Sequence, residues 1–146
     1  TISVAIGQRL VRKICEHCRF SFTIPGAEAR QLFKGAHHYF EGGASVHLYS
    51  GKGCDACGNT GYRGRIGIYD LLPIDKDMEE LIVGKKNSTE LLLKAREHGM
   101  MFLFEDGLDK VRSGLTTIEE LQRIAAPPEE IFFATHVQNP RKTKGK

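Results

Sequence analysis

Four cysteines stand in this chain as two Cys-x-x-Cys pairs, Cys15-Glu16-His17-Cys18 and Cys54-Asp55-Ala56-Cys57, and the sequence holds no other cysteine. Two residues between thiols let both sulfurs of a tight turn face one ion, and two such turns supply the four soft ligands that tetrahedral zinc prefers. The spacing therefore predicts a closed four-thiolate site made by Cys15, Cys18, Cys54 and Cys57. Disulfides would need an oxidising compartment, and neither a signal-peptide pattern nor a long apolar run leads there. A thioredoxin-like redox pair fits one Cys-x-x-Cys but does not usually come doubled. Iron also accepts four thiolates; zinc is preferred because nothing in the sequence suggests electron transfer. His17 lies inside the first pair, but four sulfurs complete the shell without it, so it is expected at the surface.

A zinc held by four cysteines has no open position for an activated water, so the metal is expected to be structural. Catalytic patterns are otherwise missing. Gly51-Lys52-Gly53 lacks the upstream glycine and the following hydroxyl of a phosphate loop, and no G-x-S-x-G, H-E-x-x-H or G-x-G-x-x-G occurs. His37-His38 lie near Glu41 in the stretch between the pairs, without a nucleophile or orienting group beside them in sequence, and His47 and His98 are equally unsupported. No residue is assigned a catalytic role.

The elements that must position the cysteines follow from periodicity. The 146 residues, 40% hydrophobic and 27% charged with a net charge of +3, suit one ordinary domain; the weak basic bias permits nucleic acid without implying it. Ile6, Leu10, Val11 and Ile14 recur at helical spacing and predict a helix over residues 1–14 that runs into the first pair. Between the pairs, a short helix is expected near Ala27 to Phe33, then a glycine loop at Gly42-Gly43 and a strand from Ser45 to Tyr49. Gly58, Gly61 and Gly64 follow the second pair, where glycine lets backbone N–H groups turn toward sulfur. Arg65 to Leu72, stopped by Pro73, reads as a strand entering the core.

From Asp75 the pattern becomes helical. Met78, Leu81 and Ile82 make a short stripe; Asn87 with Glu90 is a capping box ending at Gly99; Phe104, Leu108, Val111 and Leu115 form a third stripe. A fourth helix opens with Thr117 and Glu120 as a capping box, turns Ile118, Leu121, Ile124 and Ala125 inward and stops at Pro127-Pro128. These stripes are read as core, because their polar faces carry acids where a membrane-surface helix carries lysine and arginine. The run Met100 to Phe104 is expected to be a buried connection. The fold class is α+β: residues 15–72 a small tetracysteine module with short strands, 73–126 a mostly helical subdomain, and 127–146 a basic tail.

Gln8 to Cys18, Gly53 to Leu72, and the blocks Gly99-Met100, Asp106-Gly107-Leu108 and Gly114 to Glu120 together resemble the hexameric ATPases of type II secretion and type IV pilus assembly. The likeness covers about Gln8 to Ala125 and is densest in Gly-Cys-Asp-Ala-Cys-Gly-Asn-Thr-Gly-Tyr-Arg-Gly-Arg-Ile-Gly-Ile-Tyr-Asp-Leu-Leu. It implies that residues 1–14 end a nucleotide-binding core whose phosphate loop and acidic and histidine boxes lie upstream. By the same resemblance, ATP and Mg2+ belong to the parent motor, and this stretch should not hydrolyse ATP by itself. The implied partners are its own nucleotide-binding domain, neighbouring subunits of a homo-hexamer and the cytoplasmic part of an inner-membrane platform protein. The implied location is the cytoplasm, against the bacterial inner membrane and without insertion into it. Two other readings stay open: a chaperone-type zinc knuckle, since Cys54 to Gly61 is Cys-x-x-Cys-Gly-x-x-Gly, although Arg19 replaces the glycine after the first pair; and a zinc ribbon that binds nucleic acid through Arg63, Arg65 and the tail, with only Tyr62 and Tyr69 near enough to stack.

Overall fold

The first strand is where spacing misleads. In the computed structural model, which describes residues 2–33, 35–40, 43 and 45–129, Val4–Ile14 is a β-strand, β1, and not the helix expected over residues 1–14. It pairs antiparallel with a strand at Tyr62–Pro73, in register from Val4 opposite Pro73 to Arg12 opposite Arg65. Both faces of this ribbon carry apolar residues. Val11 and Ile68 are fully buried on one face, while Val4, Ile6, Leu10 and Leu71 stay exposed on the other. Apolar residues alternating to two faces fill the same positions as a helical stripe, and the partner strand, distant in sequence, decides between them. The register slips between Arg12 and Ile14, which turns Ile14 into the core just before the first cysteine.

Arg19–Pro25 (β2) and Ser45–Gly51 (β3) make a second antiparallel ribbon, Arg19 opposite Gly51 and Pro25 opposite Ser45. The expected strand at Ser45 to Tyr49 is part of it; β2 was not expected, although Phe20, Phe22 and Ile24 alternate with polar residues. Between them lie α1 (Gly26–Leu32), close to the expected helix, and a single 3-10 turn at His37–Phe40. The strand at Tyr62–Pro73 is β4. The chain thus leaves the long ribbon at Ile14, builds the short one and returns at Tyr62, and a Cys-x-x-Cys pair sits at each crossing.

Four helices follow: α2 (Lys76–Val83), α3 (Ser88–Glu97), α4 (Leu103–Arg112) and α5 (Ile118–Ile124). Asp75 caps α2 by accepting from the Met78 N–H, and Asn87 and Glu90 cap α3 reciprocally, as their spacing predicts. Within the Met100–Phe104 run, Met100 and Phe104 are buried and the three residues between them are half-buried. Phe104, Leu108 and Val111 of α4 and Ile118 and Leu121 of α5 share one core with Val11 and Ile68 of the long ribbon and Phe33 and Leu48 of the excursion. Gly107 lets α4 approach α5, since a Cβ there would run into the Leu121 side chain. A smaller core joins Met78, Ala95 and Met100. The architecture is α+β, and the tail from residue 130 lies outside the described residues.

Candidate metal centre

Each cysteine pair is a tight turn closed by its own backbone. Cys18 N–H donates to the Cys15 carbonyl at 3.3 Å and Cys57 N–H to the Cys54 carbonyl at 3.1 Å. After the second pair Gly58 (φ 59°) and Asn59 (φ 60°) are left-handed, and Asn59 N–H donates to the Cys54 carbonyl at 2.9 Å. The two turns are sewn together by Cys15 N–H to the Gly61 carbonyl, 2.9 Å, and Lys52 N–H to the Cys18 carbonyl, 3.1 Å. Gly61 (φ 78°) faces Gly51 so closely that a Cβ on it would stand 2.6 Å from the Gly51 carbonyl oxygen. Glycine is required there by both space and dihedral.

The four sulfurs converge. Sγ–Sγ separations are 3.8 Å for Cys15–Cys54, 3.9 Å for Cys18–Cys57 and 3.8 Å for Cys54–Cys57, and all four atoms lie within 4.8 Å of one another. A tetrahedron with metal–sulfur bonds of about 2.3 Å has edges of about 3.8 Å, so the donor set fits one tetrahedral ion. A disulfide needs about 2.05 Å, and all four cysteines are free. Among the described residues this is the one group of three or more His, Cys, Asp or Glu side chains close enough to hold a metal.

Backbone amides face the sulfurs: Gly53 N–H points at Cys18 Sγ, and Cys54 and Gly61 N–H both point at Cys57 Sγ, each at 3.3 Å. These donors favour thiolate over thiol. Loss of solvent pushes Cys18 up to about 11 and raises Cys54, each against the backbone donors that face it. At Cys57 desolvation is outweighed by the Cys54 and Gly61 amides, and the thiol is brought down to about 6. His17 is exposed, as expected. The other described histidines are scattered: His37 and His38 stack on each other at 3.8 Å, His47 bonds Thr23 at 3.1 Å and His98 bonds Asp75 at 2.7 Å.

The centre is braced from the side by contacts that the sequence alone did not indicate. Ile14 N–H donates to the Leu115 carbonyl at 2.9 Å, and Thr116 Oγ1 donates to the Arg12 carbonyl at 2.8 Å. Thr117 caps α5 by accepting from Glu120 N–H, but Glu120 does not complete the expected capping box. Its carboxylate instead accepts from Arg12 N–H at 3.0 Å, from the Arg12 guanidinium at 3.0 and 2.9 Å and from Arg123 at 3.2 and 2.7 Å. Burial alone raises its pKa; the bonds from Arg123 and Arg12 overcome that and hold it at about 2. Two guanidinium groups outbid one backbone N–H, and nothing local in the sequence announces a partner 108 residues away. Tyr62 is drawn into the same brace: its hydroxyl meets Thr117 Oγ1 at 2.8 Å and the Arg12 guanidinium covers its ring at 4.2 Å. That occupies one of the two rings available for stacking on a base.

A four-cysteine cluster between two ribbons, with the adjoining strand tied to a capped helix, marks the class. Residues 1–123 match the family described as type II/IV secretion system protein, and the chain belongs to that family. It is 41% identical over 116 residues to the type IV pilus assembly ATPase PilB of Thermus thermophilus, covering 80% of this chain and 13% of that protein. It is 36% identical over 124 residues to the type IV pilus assembly ATPase PilB of Pseudomonas aeruginosa, covering 85% and 21%. Against the type II secretion system ATPase E of Vibrio cholerae it is 36% identical over 121 residues, covering 82% and 22%. The chain thus spans between about an eighth and a fifth of the length of these relatives. Among the described residues no helix is long and apolar enough to cross a membrane.

Proposed function

We propose that this stretch is the metal-braced, non-catalytic part of a hexameric traffic ATPase that powers type IV pilus assembly or type II secretion. The observation that carries the reading is the set of four sulfurs at tetrahedral spacing, at the end of a strand fastened through Ile14 to the Leu115 carbonyl and through Arg12 to Glu120 of α5. The ion in this proposal is zinc, bound by Cys15, Cys18, Cys54 and Cys57. It supplies no reaction; it contributes folding free energy, of order ten kcal/mol for sites of this kind, where the turns bury little apolar surface. ATP and Mg2+ act in the rest of the motor.

Rigidity is the functional content. The amides of Gly53, Cys54 and Gly61 hold the sulfurs, and Glu120 ties the adjoining strand to α5, so a displacement delivered to one element moves all of them. In the assembled motor the exposed outer face of the long ribbon, with Val4, Ile6, Leu10 and Leu71, packs on the nucleotide-binding core or a neighbouring subunit. The moving assembly then works on the cytoplasmic part of an inner-membrane platform protein, from the cytoplasmic side.

The test uses the full-length motor. Metal analysis should find about one zinc per chain, and no iron. Cys54→Ser should lose that zinc and impair assembly of the ring, while the isolated nucleotide site retains ATP binding. A variant that keeps its zinc, or that loses it and melts and assembles like the parent, overturns the reading.

A further inference from the structure

Beside the main core lies an open groove of about 500 Å3, with an apolar wall made by Leu92 of α3 and by Phe102 and Leu103 at the start of α4. Gly7 of β1 and Asp70 of β4 line it too, and they stand directly opposite each other in the long ribbon. Gly7 is not left-handed, so its dihedral does not call for glycine. Space does: a Cβ there would run into the Asp70 carboxylate. The room made for that carboxylate serves no contact inside the chain. Among the described residues no hydrogen bond or ion pair reaches Asp70, although it is half-buried. Every other described carboxylate that the fold shields holds a cation: Glu105 has Arg96, Asp106 has Lys110, Asp109 has Arg112 and Glu120 has Arg12. Arg9 also lines the groove, but its guanidinium donates to the Ile124 carbonyl, and the exposed Glu129 adds a second negative charge.

The chemistry of the groove names its occupant. An ionised carboxylate only accepts hydrogen bonds, and shielding it from water is costly until a cation or donor meets it. Asp70 belongs to no group of side chains that could hold a metal ion. The apolar wall instead suits a cation carried on an apolar stem. Arginine supplies both parts: its planar fork meets a carboxylate through two parallel N–H···O bonds, and its methylenes can lie along leucine side chains. We infer that this groove receives an arginine side chain of a partner polypeptide, with the guanidinium on Asp70 and the stem against Leu92, Phe102 and Leu103. Gly7 keeps the carboxylate in place for it. The site is separate from the four cysteines and does not depend on the metal reading.

The test titrates the metal-loaded chain with the peptide acetyl-Leu-Arg-Leu-amide and follows the Asp70 carboxyl carbon and the Leu92 and Leu103 methyls by nuclear magnetic resonance. Saturable shifts at these groups are expected, with a Kd on the order of 1 mM. Acetyl-Leu-Gln-Leu-amide should bind at least about tenfold more weakly, because it lacks the charged fork. Asp70→Asn should weaken the arginine peptide by at least about tenfold as well, while the amides of Gly53 and Gly61 keep their positions and so report an intact fold. Gly7→Ala, which displaces the carboxylate but keeps its charge, should weaken it in the same direction. Absence of saturable shifts overturns the inference, and so does binding that Asp70→Asn leaves unchanged. A shift of the Arg9 guanidinium signals on Asp70→Asn in the free chain overturns it too, since the carboxylate would then already be paired within its own ribbon.

Discussion

Replacing Glu120 by glutamine removes one charge while keeping the side chain's size and one carbonyl acceptor. The carboxylate is 1% exposed and sits between Arg12 and Arg123, which hold it at about 2 instead of the ordinary 4.5. By linkage such a depression contributes on the order of 3 kcal/mol of stability at neutral pH. Both guanidinium groups are about half exposed, 48% for Arg12 and 58% for Arg123, so water and salt screen the pair, and about 2 kcal/mol is the working figure. The folded value lies below the unfolded one. The contribution is therefore full above about pH 4.5 and drains away as the pH falls toward 2. The assay is urea unfolding of the metal-loaded chain and of Glu120→Gln, side by side at pH 7, 4 and 3. Acid releases metal from both proteins, so the readout is the gap between them. At pH 7 the variant's midpoint should be lower by about 1 M urea, taking a slope of about 2 kcal/mol/M. By pH 3 that gap should have closed by more than half. A gap below about 0.5 kcal/mol at pH 7, or one that does not narrow in acid, refutes the claim that a buried charge ties β1 to α5.

Three further outcomes are expected. Thr117→Ala removes the α5 cap and the partner of the Tyr62 hydroxyl and should cost about 1 to 2 kcal/mol in a chemical melt; an unchanged midpoint would show that neither bond contributes. Gly61→Ala forces a left-handed alanine against the Gly51 carbonyl and should weaken metal affinity at least tenfold in a chelator competition, whereas Gly58→Ala, with nothing within 4 Å of its Cβ, should leave affinity nearly unchanged. Equal losses at the two glycines would mean that dihedral strain alone, not the contact, matters. Stripping the metal with a chelator should lower the melting temperature more than either single substitution, and a melt indifferent to chelation would remove the ion from the account of stability.

The meeting of the four cysteines was legible because two short spacings in one chain carry their own geometry, and the sulfurs lie at the separations one tetrahedral ion would need. Helices α2 to α5 were legible for a similar reason: caps such as Asn87 with Glu90 are local, and a stripe needs only its own residues. The long ribbon was not, because β1 acquires its identity from β4, some fifty residues on, and its two apolar faces imitate a helical stripe. β2 was within reach, since Phe20, Phe22 and Ile24 alternate cleanly with polar residues. Glu120 shows the other limit. Its spacing from Thr117 is that of a capping box, and only the folded chain brings Arg12 close enough to claim it.

The crossing of the two ribbons has a consequence for how this chain can change. Everything from Arg19 to Gly53 is a detour whose two ends meet at one four-cysteine cluster, with Cys18 and Cys57 sulfurs 3.9 Å apart. Lengthening a tethered loop is cheap, about 0.6 kcal/mol for each doubling, and none of that cost reaches β1 or β4, whose pairing is set outside the tether. The detour can accordingly be shortened, elaborated or exchanged between relatives at its α1 end while the ribbon beneath keeps its register. The cysteines make this segment a socket into which a different excursion could be fitted.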